Sequence, residues 1–165
     1  MFREIRRSKQ KLPEKDAVSI LERNTFGVLA VYGDDGYPYA VPLNYVYDNG
    51  YIYFHSAKSG HKLDAISNNS KASFCVTDKS EIVPDEYTTY FRSAIAFGHA
   101  RVLKDEKDIS DKLLKLALKY SPELPDGCKS EVRKELSHVC MIEFEIEHLS
   151  GKEAIELVNA KRNNT

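Results

Sequence analysis

The 165-residue chain lacks most of the signatures by which a sequence declares its chemistry. Its three cysteines, Cys75, Cys128 and Cys140, form no CxxC pair, so neither a zinc site nor a redox dithiol is suggested. There is no GxGxxG and no GxxxxGK[ST], which disfavours a Rossmann cofactor and a P-loop. No obvious nicotinamide-binding motif is present. No apolar run approaches the roughly 20 residues needed to span a bilayer. Charge of one sign is missing too: 24 Lys and Arg face 25 Asp and Glu, a formal net charge of −1. No global basic field therefore exists to hold nucleic acid. No internal repeat stands out, and the low-complexity stretch is the polar end at 161–165. An odd cysteine count without a secretory signal leads us to expect a reducing, cytoplasmic setting.

What is present is an ordinary globular composition, 42% hydrophobic and 30% charged. The length fits one domain over 1–165, with an arm at 1–12 and a tail at 153–165. A chain of this size can bury roughly 70% of its unfolded surface, enough for a core without disulfides or metals. The basic cluster Arg3, Arg6, Arg7, Lys9 and Lys11 reads as a solvated arm or a dimer-packing segment.

Pro13, Glu14 and Asp16 suit a helix start, and Ala17, Ile20 and Leu21 give that helix one apolar stripe. From Phe26 the period changes to that of strands. Phe26–Tyr32, Tyr37–Tyr47 and Tyr51–His55 are expected as three strands of an antiparallel meander, with turns at Gly33–Gly36 and Asp48–Gly50. A short helix over Ser59–Asn68 follows. Strands are expected at Lys71–Thr77 and Thr88–Leu103, with a loop at Glu81–Glu86 and a bulge or bend at Gly98. Asp105–Tyr120 is a clear helix. Ser121–Gly127 reads as a loop, Glu131–Leu136 as a helical turn, His138–Glu147 as the last strand and Glu153–Asn159 as a tail helix. About six mostly antiparallel strands suggest a small closed or nearly closed barrel, because closure removes exposed edges.

Two stretches carry the chemistry. Phe54-His-Ser-Ala-Lys-Ser-Gly-His-Lys62 ends a strand, passes through small residues and opens a helix. Helix N-termini offer unpaired N–H groups and partial positive charge. Ser56 and Ser59 add hydroxyl groups, Gly60 permits close approach, and Lys58, His61 and Lys62 add cations. The set matches a phosphate, but an exposed helix start with ordinary lysines reads the same. Just upstream, Pro42 in Tyr39-Ala-Val-Pro-Leu-Asn44 cannot donate to a ladder. It marks either an edge strand or a place where a planar ligand meets the free backbone of Val41 and Leu43, with the Asn44 amide nearby.

The segments Gly27-Val-Leu-Ala30, Asp35-Gly-Tyr-Pro-Tyr-Ala-Val-Pro-Leu-Asn-Tyr-Val-Tyr47 and Tyr53-Phe-His-Ser-Ala-Lys-Ser-Gly-His-Lys-Leu63 together resemble the nitroimidazole-resistance (Nim) group of the pyridoxamine 5′-phosphate oxidase-like superfamily. Phe91-Arg-Ser-Ala-Ile-Ala-Phe-Gly-His-Ala-Arg101 and Ile146-Glu-His-Leu-Ser-Gly-Lys152 are similar to it as well. The resemblance spans about Ala17 to Lys152.

It implies a mainly β fold with flanking helices, a six-stranded antiparallel Greek-key split barrel, working as a homodimer with FMN at the subunit interface. Val41, Pro42, Leu43 and Asn44 would line the isoalloxazine ring. His55 and Ser56 would follow the ribityl chain and phosphate. His61 and Lys62 would grip the phosphate with Lys58 in reserve, where the oxidase branch has Arg-Lys. A histidine in that pair implies FMN affinity that weakens as His61 loses its proton, which titration from pH 5.5 to 8 would test. The further C-terminal residues with which the oxidase branch binds pyridoxal phosphate have no counterpart here, so vitamin B6 oxidation is not expected.

The implied activity is electron delivery from reduced flavin to a small aromatic or nitro-aromatic acceptor, with NAD(P)H as a candidate donor and no catalytic side chain assigned. The alternative is a non-enzymatic flavin or haem binder, sensor or store of the same fold. His99 and His138 are expected to be packed or hydrogen-bonded, and no metal site is expected.

Overall fold

The fold begins from alternation. In Phe26–Tyr32, strand β1, every second residue is buried, and Leu29 and Val31 point into the core. The computed structural model describes residues 2–163, so Met1, Asn164 and Thr165, at the ends of the expected arm and tail, lie outside it. The further strands are β2 (Pro38–Asn44), β3 (Val46–Asp48), β4 (Tyr51–Ala57), β5 (Lys71–Val83), β6 (Thr88–Val102) and β7 (Val139–Glu153). The helices are α1 (Glu14–Arg23), α2 (His61–Asn68), α3 (Glu106–Tyr120), α4 (Pro125–Glu135) and α5 (Ile155–Asn163).

All seven strands form one antiparallel sheet in the order β2-β1-β5-β6-β7-β4-β3. Six strands were expected, and the difference arises at Tyr45. The sequence reads Tyr37–Tyr47 as one strand, but its first part pairs with β1 and its last part with β4. The meander is therefore absent: β1–β2 and β3–β4 are two hairpins at opposite edges of the sheet. One residue joins the edges, and two Cα steps reach at most roughly 7 Å, so the sheet must curl until the edges meet at this corner. No ladder among the described residues closes the ring there.

Tyr45 is fully buried at this crossing, edge-on to Phe74. Its N–H donates to the Tyr120 hydroxyl at 3.0 Å, and that hydroxyl also meets the carbonyls of Tyr45 and Thr25. The two arms of the chain are thus pinned by a residue of α3.

Two cores result. The concave face buries Leu29, Phe54, Phe74, Val76, Ile142 and Phe144 against Ile20 and Leu21 of α1 and Ile66 of α2. The convex face of β3, β4 and β7 buries Val46, Tyr53 and Met141 against Leu113 and Leu116 of α3 and Val132 of α4. Glu143, acidic on the expected polar side of β7, lies beneath this layer, held by Arg101 at 2.6 Å and the Tyr53 hydroxyl at 3.1 Å.

Several boundaries differ from the sequence reading. β5 continues to Val83, so only Pro84–Glu86 remains as a tight turn. α4 starts at Pro125 and takes in the last three residues of the expected 121–127 loop, and Cys128 within it is buried. β7 continues to Glu153 because β6 pairs with it as far as Arg92. At Gly98 the β6–β7 register shifts, as expected. All three cysteines are free.

Candidate functional site

β4 ends at Ala57, and Lys58–Gly60 turn the chain into α2. Gly60 has φ of 129°, a conformation that glycine adopts without strain. No side chain caps the helix. The Gly60 carbonyl accepts from the N–H groups of Leu63 and Asp64. The N–H groups of His61 and Lys62 have no acceptor within the helix, as for any first turn.

These residues open onto a cavity of about 420 Å³ lined by His55, Ser56, Ser59, Gly60, His61 and Lys62 together with Tyr39, Glu135 and His138. His61 stacks on the Tyr39 ring, 4.2 Å between centroids, and its Nε2 lies 3.5 Å from Asp34. The β1–β2 hairpin thus fixes the imidazole and places a carboxylate beside it. Lys62 is half-buried and forms no ion pair among the described residues. Burial pushes its ammonium below the usual lysine range, with the Cys140 thiol opposing slightly. A half-buried, unpaired cation beside an uncapped helix start fits an anion in sign and position.

Lys58 is not part of this group. It lines a neighbouring open cavity of about 920 Å³ with Lys104 and Arg133, on the far side of Leu63 and Val139. The expected ring-binding strand also divides. Val41 and Leu43 pack their side chains on the concave core, and Pro42 is exposed. β2 is an edge strand, which accounts for a proline within it. The Gly33 N–H donates to the Tyr37 carbonyl, and ladder alternation from that pair turns the main-chain groups of Val41 and Leu43 toward β1. The outward-facing groups are those of Ala40, Pro42 and Asn44, not those of Val41 and Leu43.

Asn44 lines an apolar groove of about 300 Å³ with His55, Leu113, Leu116, Ala117 and Val132. His55, Glu135 and Val139 line both this groove and the basic cavity, so the two are continuous. The structure therefore brings together Asn44, His55, Ser56, His61 and Lys62, and leaves out Val41, Pro42, Leu43 and Lys58. Sequence reasoning missed Tyr39, Glu135 and the groove residues of α3 and α4. The periodicity of Asp105–Tyr120 showed an apolar stripe but not which surface it would cover. The His138 Nδ1 donates to the Lys134 carbonyl at 3.1 Å and the residue also lines the basic cavity, while His99 is held by Ser70 at 2.8 Å and Glu147 at 3.4 Å.

The curled antiparallel sheet thus carries a cavity lined by Lys62 and three histidines at a strand-to-helix turn, with a largely apolar groove beside it. The chain belongs to the pyridoxamine 5′-phosphate oxidase family, whose model matches residues 13–153. No curated protein sequence is significantly similar to it.

Solved structures share the fold. A candidate 5-nitroimidazole antibiotic resistance protein from Bacteroides thetaiotaomicron superposes with a TM-score of 0.71 at 18% identity, covering 87% of this chain and 86% of that one. The flavocytochrome Anf3 from Azotobacter vinelandii gives 0.76 at 17% identity, covering 92% and 72%. An FAD and haem binding protein from Mycobacterium smegmatis gives 0.74 at 22% identity, covering 88% and 73%. No helix among the described residues is long and apolar enough to cross a membrane.

Proposed function

We propose that the chain binds FMN and passes electrons from reduced flavin to a small aromatic or nitro-aromatic acceptor. The observation that carries this reading is Lys62, half-buried and unpaired at the uncapped start of α2, in a cavity continuous with an apolar groove. The FMN phosphate takes the hydroxyl groups of Ser56 and Ser59, the free N–H groups of His61 and Lys62, and the Lys62 ammonium. The ribityl chain runs past His55, and the ring lies toward Asn44. The curled sheet is read as a split barrel, with Tyr45 marking the split.

The flavin, when bound, supplies the redox chemistry. The residues of the chain bind and orient: Lys62 neutralises the phosphate, His55 and Asn44 offer hydrogen bonds at the ring end, and Leu113, Leu116 and Val132 keep water from the acceptor's place. A flavin-binding oxidoreductase agrees with the flavins named for two of the structural relatives. One of these relatives is named for haem as well as FAD, and a Soret band in the spectrum of the purified protein would mark that alternative.

A homodimer is part of the proposal. On the convex face α3 and α4 cover β3, β4 and β7, but Phe26, Val28, Ile95 and Phe97 on β1 and β6 stay exposed. Val28, Cys75 and Ile95 stand in one cross-strand row. An apolar strip of this kind marks a protein interface.

The test is FMN titration of the purified protein, followed by anaerobic reduction with NADH or NADPH and reoxidation by a nitro-aromatic compound. Tight FMN binding with bleaching and acceptor-dependent recovery is expected. Absence of FMN binding overturns the proposal, and binding without turnover reduces it to a flavin carrier.

A further inference from the structure

The groove beside the basic cavity is walled by apolar side chains, with Asn44, His55, Tyr120 and the carboxylates of Glu131 and Glu135 as its polar members. Leu113, Leu116, Ala117, Val132 and Val139 form its walls, and the carboxylate of Glu135 stands where groove and cavity join. Glu135 ends α4 and is half-buried, unlike its exposed neighbour Glu131. Glu131 has a partner, Lys134 at 3.3 Å, but no hydrogen bond or ion pair ties the Glu135 side chain to any described residue. Lys62 lines the same cavity and forms no ion pair with it.

A half-buried carboxylate without a partner has lost part of its hydration and regained nothing within the chain. Leaving such a group unsatisfied is costly, whereas a charge-assisted hydrogen bond to it is favourable. A ligand that brings a cation or an N–H donor to this corner supplies the missing partner. A ligand that brings a carboxylate meets repulsion.

We propose that Glu135 makes the groove selective for a small aromatic ring bearing a protonated amine and no phosphate of its own. This rests on the reading of the basic cavity as the flavin-phosphate site, which leaves the groove for the acceptor. Leu113, Leu116 and Val132 take the ring, and Glu135 accepts from the ammonium. Glu135 is then the residue that sets the charge of the acceptor, separate from those that hold the flavin.

The test uses benzylamine, benzyl alcohol and benzoate as probes, with dissociation constants from calorimetry on the purified protein with and without saturating FMN. Benzylamine is expected to bind about tenfold more tightly than benzyl alcohol, with benzoate weakest. Glu135→Gln is expected to remove the difference between amine and alcohol, while Glu131→Gln keeps it. Circular dichroism of both variants checks that they fold. Equal binding of amine and alcohol, a preference that survives Glu135→Gln, or no measurable binding of benzylamine overturns the proposal. The FMN titration is read separately. A protein that prefers benzylamine but takes no FMN keeps the amine site and loses the flavin reading, and the reverse result loses only the amine site.

Discussion

At the scale of the residue, the cations of the site are not equivalent. Lys62 is half-buried and unpaired, whereas His61 is stacked on Tyr39 and already faces Asp34. Lys62→Ala should raise the FMN dissociation constant about ten- to hundredfold, the range for a hydrogen bond to a charged group. His61→Ala should cost only about two- to fivefold, since the imidazole is already engaged by Tyr39 and Asp34. Fluorescence titration measures both, and an unchanged constant for Lys62→Ala would remove the phosphate site. Lys119 shows burial acting on stability instead. Its ammonium donates to the Asn24 carbonyl at 2.6 Å and lies 4.2 Å from the Tyr45 ring centre, yet burial lowers its pKa to about 8. The unfolded chain thus binds the extra proton more strongly. This contribution to stability is fully present above the ordinary lysine value and is lost as pH falls toward about 8. The wild type should gain on Lys119→Met between pH 8 and 10.5, read as the difference in melting temperature. A flat difference across that window would show an unstrained ammonium.

At the scale of the element, the curl of the sheet depends on close approach in β6. A Cβ on Gly98 would lie 1.8 Å from the Glu145 carbonyl oxygen, a backbone atom of β7 that cannot move aside alone. The bulge between Phe97 and Gly98 sits at the same place. Gly98→Ala should therefore destabilise the protein by about 3 kcal/mol or more, a fall in melting temperature of roughly 10 °C for a chain of this size. Calorimetry of the variant tests it, and a change of a degree or two would mean that β7 shifts freely. The Gly98 bulge was legible in the sequence because a glycine interrupts an otherwise alternating strand. The break at Tyr45 was not, because Tyr37–Tyr47 keeps its alternation straight through the point where its partner changes. Local periodicity reports which face a residue takes, not which strand lies beside it. The same limit explains the groove: the stripe on α3 was visible, but its meeting with α4 and His55 was not.

At the scale of the whole molecule, the sheet has one covered and one bare region on its convex face. Ile95 and Phe97 are each 38% exposed in the bare region, and Phe2 packs on Phe97 and His148 beside it. Part of the N-terminal arm therefore lies on this face instead of standing free in solvent, and further along Lys11 bridges to Lys152. We expect sedimentation to show a dimer at low micromolar concentration, and Ile95→Glu with Phe97→Glu to give a folded monomer. A wild-type monomer under those conditions would remove the interface from the functional model.

The sequence by itself determined the mainly β character, the hairpin turns, the strand-to-helix turn at His55–Lys62 and the family. Each rests on patterns only a few residues long, in which alternation, turn residues and helix starts act locally. The tertiary structure decided which strands pair, that one chain crossing at Tyr45 joins the two edges of the sheet, and that Lys58, Val41, Pro42 and Leu43 stand apart from the cavity. It also decided that Glu135, more than seventy residues beyond Lys62, faces the same space. Those outcomes depend on contacts between distant segments, and such contacts are set by the packing of the whole sheet.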